Sequence, residues 1–141
     1  MAISSIYSNN ILNEHNLRPS HKGTMENPTY ILEGINPSCG DDIILQLKVE
    51  DGVITDGMFS GSGCAISQAS TDMMLDLIIG EDEETALSFA DKFMRMIHGE
   101  ATEDEIEELD ESGLLKDISH MPARVKCAVL GWRTMREMIE K

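Results

Sequence analysis

Positive charge is scarce in this chain: 11 Lys and Arg stand against 26 Asp and Glu, a formal net charge of −15 over 141 residues. Nucleic acid is thereby disfavoured as the main partner, because phosphate binding needs a basic surface, and docking on anionic lipid is disfavoured on the same ground. Long apolar runs are missing too. None approaches the roughly 18 residues of a membrane span, and the start, Met1-Ala2-Ile3-Ser4-Ser5-Ile6-Tyr7, lacks the basic flank and apolar stretch of a secretory signal. A cytoplasmic location is the expectation. No phosphate loop, Ser-His-Asp set or dinucleotide fingerprint is present.

Cysteine is sparse: Cys39, Cys64 and Cys127. Three thiols cannot all pair within one chain, and without a secretion signal reduced thiols are expected. No Cys-x-x-Cys pair occurs, and the spacings of 25 and 63 residues carry no generic metal signature. The acid that is present is unevenly spread. Glu81 to Glu84 is acidic throughout, and eight of the twelve positions from Glu100 to Glu111 are acidic, which reads as solvated helix surface. Six of the eleven basic residues lie from Lys116 onward.

The hydrophobic pattern predicts an α+β domain over residues 1–141, with a small three-stranded antiparallel sheet, an N-terminal helix and several C-terminal helices packed on one face. Ile3 to about His15 reads as the first helix. Strands follow at Tyr30–Gly34, Ile43–Val49 and Val53–Phe59, the last two joined by an Asp51-Gly52 turn. Helices are expected from Cys64 to about Gly80, from Thr85 to Ile97, and from a Thr102/Glu105 capping box to Leu109. A last helix opens at Pro122. His15, His21, His98 and His120 show no mutual ligand spacing and read as surface or loop residues. Trp132 reads as core.

Each cysteine falls where the chain bends or a helix begins. Cys39 lies in the turn Asn36-Pro37-Ser38-Cys39-Gly40-Asp41, where the glycine allows a sharp bend that can turn a thiol and a carboxylate to one point. Cys64 follows Gly61-Ser62-Gly63 at a helix start, where the positive end of the helix dipole favours a thiolate. Cys127 lies near the start of the last helix, beside Arg124 and Lys126. Zinc accepts sulfur and carboxylate oxygen together, so an S3O set is chemically reasonable. Taken singly, though, a cysteine is more often a small core residue than a ligand.

Together the three segments are more specific. Asn36-Pro37-Ser38-Cys39-Gly40-Asp41, then Gly61-Ser62-Gly63-Cys64-Ala65-Ile66-Ser67 with Ala69-Ser70 and Met73-Met74, then Arg124-Val125-Lys126-Cys127-Ala128 with Trp132, resemble the IscU/SufU (NifU N-terminal) iron–sulfur assembly family over nearly the whole chain. Lys126 stands where the IscU branch has a histidine, and Ala123-Arg124-Val125-Lys126 is not that branch's chaperone motif. The stretch from about Gly99 to Met121 looks like the extra segment of the SufU branch. The resemblance implies a zinc site of Cys39, Asp41, Cys64 and Cys127. It also implies a pyridoxal-phosphate cysteine desulfurase of the SufS type as partner, with downstream Suf assembly proteins. On that reading Cys39 accepts persulfide sulfur, after a desulfurase histidine replaces it on zinc. The alternative the resemblance carries is a scaffold on which a labile iron–sulfur cluster is assembled and passed on. A structural zinc domain with an adaptor role is the third.

Overall fold

A computed structural model of the chain describes residues 10–37 and 40–140. The order is α1 (Asn10–Leu17), β1 (Tyr30–Asn36), β2 (Asp41–Glu50), β3 (Val53–Ser62), α2 (Ala65–Ile78), α3 (Glu83–Ile97), α4 (Glu103–Glu108), a 3-10 segment (Asp110–His120) and α5 (Pro122–Glu140). The strands form one antiparallel sheet in the order β1-β2-β3. This is the α+β arrangement expected from the sequence, including the N-terminal helix and the later helices. The expected helical stretch from Ile3 to Asn9 lies outside the described residues.

Strand alternation sets the inner face of the sheet. Ile43, Leu45 and Leu47 of β2 are fully buried, as their period of two requires. Asp51 and Gly52 both take positive φ, 52° and 79°, which gives the primed turn that matches strand twist. All three strands run further than the sequence pattern, β1 to Asn36 and β3 to Ser62. The extension matters for function, because Asn36 pairs with Asp41 and Asp42 with Ser62. The sheet therefore ends beside both the Cys39 turn and the approach to Cys64.

The helix expected from Thr85 begins two residues earlier, at Glu83. Asp82 caps α3, accepting the Thr85 N–H at 2.7 Å, and the Thr102/Glu105 capping box is complete at α4. Trp132 is fully buried and stacks on Phe93, ring centroids 4.4 Å apart. The acidic stretch does more than face water. Lys92 of α3 pairs with Glu108 at 2.7 Å, and Arg95 pairs with Glu105, so α4 is drawn against α3 by opposite charge. The eleven-residue 3-10 segment was not legible from apolar period. It is held by Leu109, Leu115 and Ile118, all buried, an instance of packing sustaining a geometry that is poor in isolation.

Among the described residues, no helix is long and apolar enough to cross a membrane.

Candidate metal centre

Three close approaches between elements create the site. The first is at the turn from β3 into α2. Gly61 has φ +102°, and a Cβ there would collide with the Asp42 carbonyl oxygen. At Gly63 a Cβ would overlap Ser67 Oγ and press on Asp41 Oδ1 at 3.1 Å. These two glycines let the chain turn against the start of β2, and Asp41 Oδ1 accepts the Cys64 N–H at 2.8 Å. Cys64 is the N-cap of α2, with extended backbone and its Sγ accepting the Ser67 N–H at 3.4 Å.

The second approach is between α2 and α5. A Cβ on Gly131 would overlap Thr71 Oγ1, and Ser70 Oγ donates to the Ala128 carbonyl at 2.6 Å. Small residues on both helices thus let the backbones meet, and this contact carries the buried Cys127 towards Cys64. The third is between β1 and α5, where Gly34 lies under Thr134 and Leu130.

As a result, Asp41, Cys64 and Cys127 each offer a ligand atom within 4.8 Å of the others. Asp41 and Cys127 are buried and Cys64 is half-buried. Among the described residues Cys64 and Cys127 are in no disulfide. Asp41 Oδ2 is buried and has no hydrogen-bond partner among the described residues. A buried carboxylate oxygen left so costs free energy that a cation would recover. Two sulfurs and one carboxylate oxygen are a donor set that suits zinc or iron, so the residues present fit a metal ion. Cys39, the fourth expected member, lies outside the described residues. Covalent connectivity alone keeps it two residues from Asp41. Lys126 is exposed and Arg124 half-buried.

The surroundings are acidic. Interaction with the Asp42 carboxyl on the neighbouring strand holds Glu33 above its usual pKa. Lys22 is a basic residue at this end that sequence reasoning passed over. Its Nζ donates to the Gly61 carbonyl at 3.3 Å and to Gln68 Oε1 at 2.5 Å, and it lies 5.2 Å from the Phe59 ring centre. Gln68 in turn donates to the Gly63 carbonyl at 2.9 Å. Lys22 and Gln68 therefore brace the turn that presents Cys64. Nothing in the local pattern around Lys22 announced this, because its partners are 39 and 46 residues away.

Two histidines make structural contacts: His21 lies in the loop between α1 and β1, as expected, whereas His15 is half-buried on α1. His15 Nδ1 meets Asp72 Oδ2 at 2.6 Å, and its Nε2 meets Glu111 Oε1 at 2.6 Å. His21 Nε2 meets Asp76 Oδ1 at 2.7 Å, and the His21 N–H donates to Asp72 Oδ1 at 2.9 Å. Burial opposes the charged form of His15, but the hydrogen bonds to Asp72 and Glu111 outweigh it and hold the imidazole above its usual pKa. Asp72 and Asp76 stand four apart on one face of α2, a spacing that could have marked a shared role.

A small antiparallel sheet backed by helices brings two thiols and a carboxylate together at the sheet end, an arrangement with the donors to hold a metal ion. Comparison with known proteins narrows this. Residues 6–141 match the NifU-like N terminal domain family. The chain is 43% identical over 141 residues to the iron–sulfur cluster assembly scaffold protein IscU of Thermotoga maritima, covering 100% of this chain and 97% of the relative. It is 37% identical over 131 residues to the zinc-dependent sulfurtransferase SufU of Bacillus subtilis, covering 93% of this chain and 88% of that protein. Among solved structures, FiSufU of Fervidobacterium islandicum AW-1 superposes with a TM-score of 0.86 at 32% identity, covering 96% of this chain and 98% of that one. The chain belongs to the IscU/SufU (NifU N-terminal-like) family.

Proposed function

We propose that this protein is a zinc-dependent sulfur acceptor for iron–sulfur cluster assembly, working with a pyridoxal-phosphate cysteine desulfurase of the SufS type. The observation that carries the reading is the convergence of Asp41, Cys64 and Cys127, beside which a buried Asp41 oxygen has no partner among the described residues. With Cys39 these residues would hold one zinc ion. Bound zinc would keep the thiols deprotonated and lower their reactivity until the partner is engaged.

Cys39 is the acceptor. Its thiolate attacks the outer sulfur of the desulfurase persulfide. A new S–S bond forms on Cys39, the old one breaks, and the desulfurase cysteine leaves as a thiolate, the terminal S–H travelling with the transferred sulfur. Asp41 is the oxygen ligand, and its Oδ1 holds Cys64 in position by accepting the Cys64 N–H. The described thiol neighbours are buried or half-buried, which restricts competing oxidation. The name of the Bacillus subtilis relative supports this reading.

The name of the Thermotoga maritima relative favours a second reading, in which the same residues carry an iron–sulfur cluster as cargo. Native mass spectrometry of the anaerobically purified protein, washed with a mild chelator, separates the two. One retained zinc per chain without iron or sulfide is the expected result, and a bound iron–sulfur mass reverses the order. For the transfer step, Cys39→Ala should keep the fold and fail to take up persulfide sulfur from the desulfurase. Normal uptake by that variant would remove Cys39 from the mechanism.

A further inference from the structure

The far end of α2 carries a second cluster of metal-ligating side chains that the sulfur chemistry does not use. Asp76 lies twelve residues beyond Cys64, roughly 18 Å along a helix rising about 1.5 Å per residue. The cluster is therefore separate from the thiol centre. A ring nitrogen of His15 and a carboxylate oxygen from each of Asp76 and Glu111 lie within 4.8 Å of one another. They come from three elements: α1, α2 and the 3-10 segment.

This is more than a group of surface carboxylates. The His15 side chain is only 11% exposed, and Asp72, whose side chain is fully buried, fixes its Nδ1 at 2.6 Å. Asp72 is itself held by the His21 N–H at 2.9 Å. A buried carboxylate bonded to one imidazole nitrogen is the usual support for a metal-binding histidine, because it orients the ring and leaves the other nitrogen to coordinate. Asp76 is steadied in turn by His21 Nε2 at 2.7 Å. Beside the ligand atoms lies a cavity of about 40 Å³ lined by Met73, Asp76, Leu77, Leu109, Asp110 and Glu111, with room for a water or two to complete a coordination sphere.

We propose that His15, Asp76 and Glu111, with Glu111 Oε1 2.6 Å from His15 Nε2 and Asp76 Oδ2 3.9 Å from Nδ1, form a second binding site for a divalent first-row metal ion, with Asp72 and His21 as positioning residues. The donors are one imidazole and two carboxylates, with no sulfur, a set that suits Zn2+, Fe2+, Mn2+ and Co2+. The ion replaces the proton between His15 Nε2 and Glu111, which leaves to solvent. Once bound, it ties the N-terminal helix to α2 and to the 3-10 segment at a single point.

The test is a Co2+ titration of the full-length, zinc-loaded protein, followed by absorbance and calorimetry. Wild type should take up one further Co2+ per chain without thiolate-to-cobalt charge-transfer bands. His15→Gln and Glu111→Gln should lose that uptake, and Asp72→Asn should weaken it about 10- to 100-fold, while all keep the tightly held zinc. Glu111 has a side chain 45% exposed, so Glu111→Gln decides the matter if His15→Gln does not fold. The proposal is overturned if no further Co2+ binds, if Glu111→Gln binds it as wild type does, or if the added ion appears only as thiolate-bound cobalt. Loss of the tight zinc would instead count against the thiol centre, so the two sites fail independently.

Discussion

Asp41→Asn isolates the metal-binding role of the carboxylate from its structural one. Asparagine is nearly the same shape and keeps an oxygen to accept the Cys64 N–H, which Asp41 Oδ1 accepts at 2.8 Å. What changes is the other atom, Oδ2, which is buried and without a described partner. If its purpose is a cation, the metal-free wild type bears the cost of an unsatisfied buried polar atom, about 1–3 kcal/mol. Replacing it by a neutral amide should leave the metal-free variant as stable as wild type or more so. With free zinc held about 100-fold above the dissociation constant of the tight site, wild type should gain about 2.7 kcal/mol. For a chain of this length that is a rise in melting temperature of about 8–13 °C. The variant should show less than a third of that rise. Thermal unfolding with zinc buffered and with zinc chelated measures both quantities. A metal-free variant melting several degrees below wild type would mean that Asp41 serves the fold, and an undiminished zinc increment would mean that it is not a ligand.

Three further outcomes are expected. Gly34→Ala drives a Cβ into Thr134 Oγ1 and should cost about 1–3 kcal/mol as overpacking; chemical denaturation should show much of the loss recovered in the Gly34→Ala/Thr134→Ala pair. Cys127→Ser should leave a folded chain by circular dichroism that no longer retains zinc through a chelator wash, since a serine hydroxyl is a poor substitute for a thiolate on this metal. Glu105 is held below its usual pKa of 4.5 by the Thr102 N–H and then, against the opposing effect of burial, by Arg95. Its contribution is therefore present above that value and lost as pH falls through the lower, folded one; Glu105→Gln should flatten this part of the acid limb of a stability–pH profile.

Much of the architecture could be read before any coordinates. Ile43, Leu45 and Leu47 alternate, Asp51-Gly52 turns the chain, Thr102 and Glu105 cap a helix, and Pro122 opens one. These are local rules, in which the residues that decide a conformation are within a few positions of one another. The 3-10 segment escaped this reading because its geometry is held by tertiary burial of Leu115 and Ile118 rather than by period.

By itself, the sequence determined the strands, most of the helices and the acidic character, since each of these depends on composition or short-range pattern, while the candidacy of Cys39, Asp41, Cys64 and Cys127 as a set came from the family resemblance of their three segments. Only the tertiary structure decided which of them meet. Cys64 and Cys127 are 63 residues apart in the chain, and they converge because Gly131 lets α5 press on Thr71, while Gly63 lets Asp41 reach the Cys64 N–H. The pairing of His15 with Asp72 and Glu111 across 57 and 96 residues was likewise out of reach. A side chain's local pattern records which face it occupies, whereas its distant partner is set by how the helices pack.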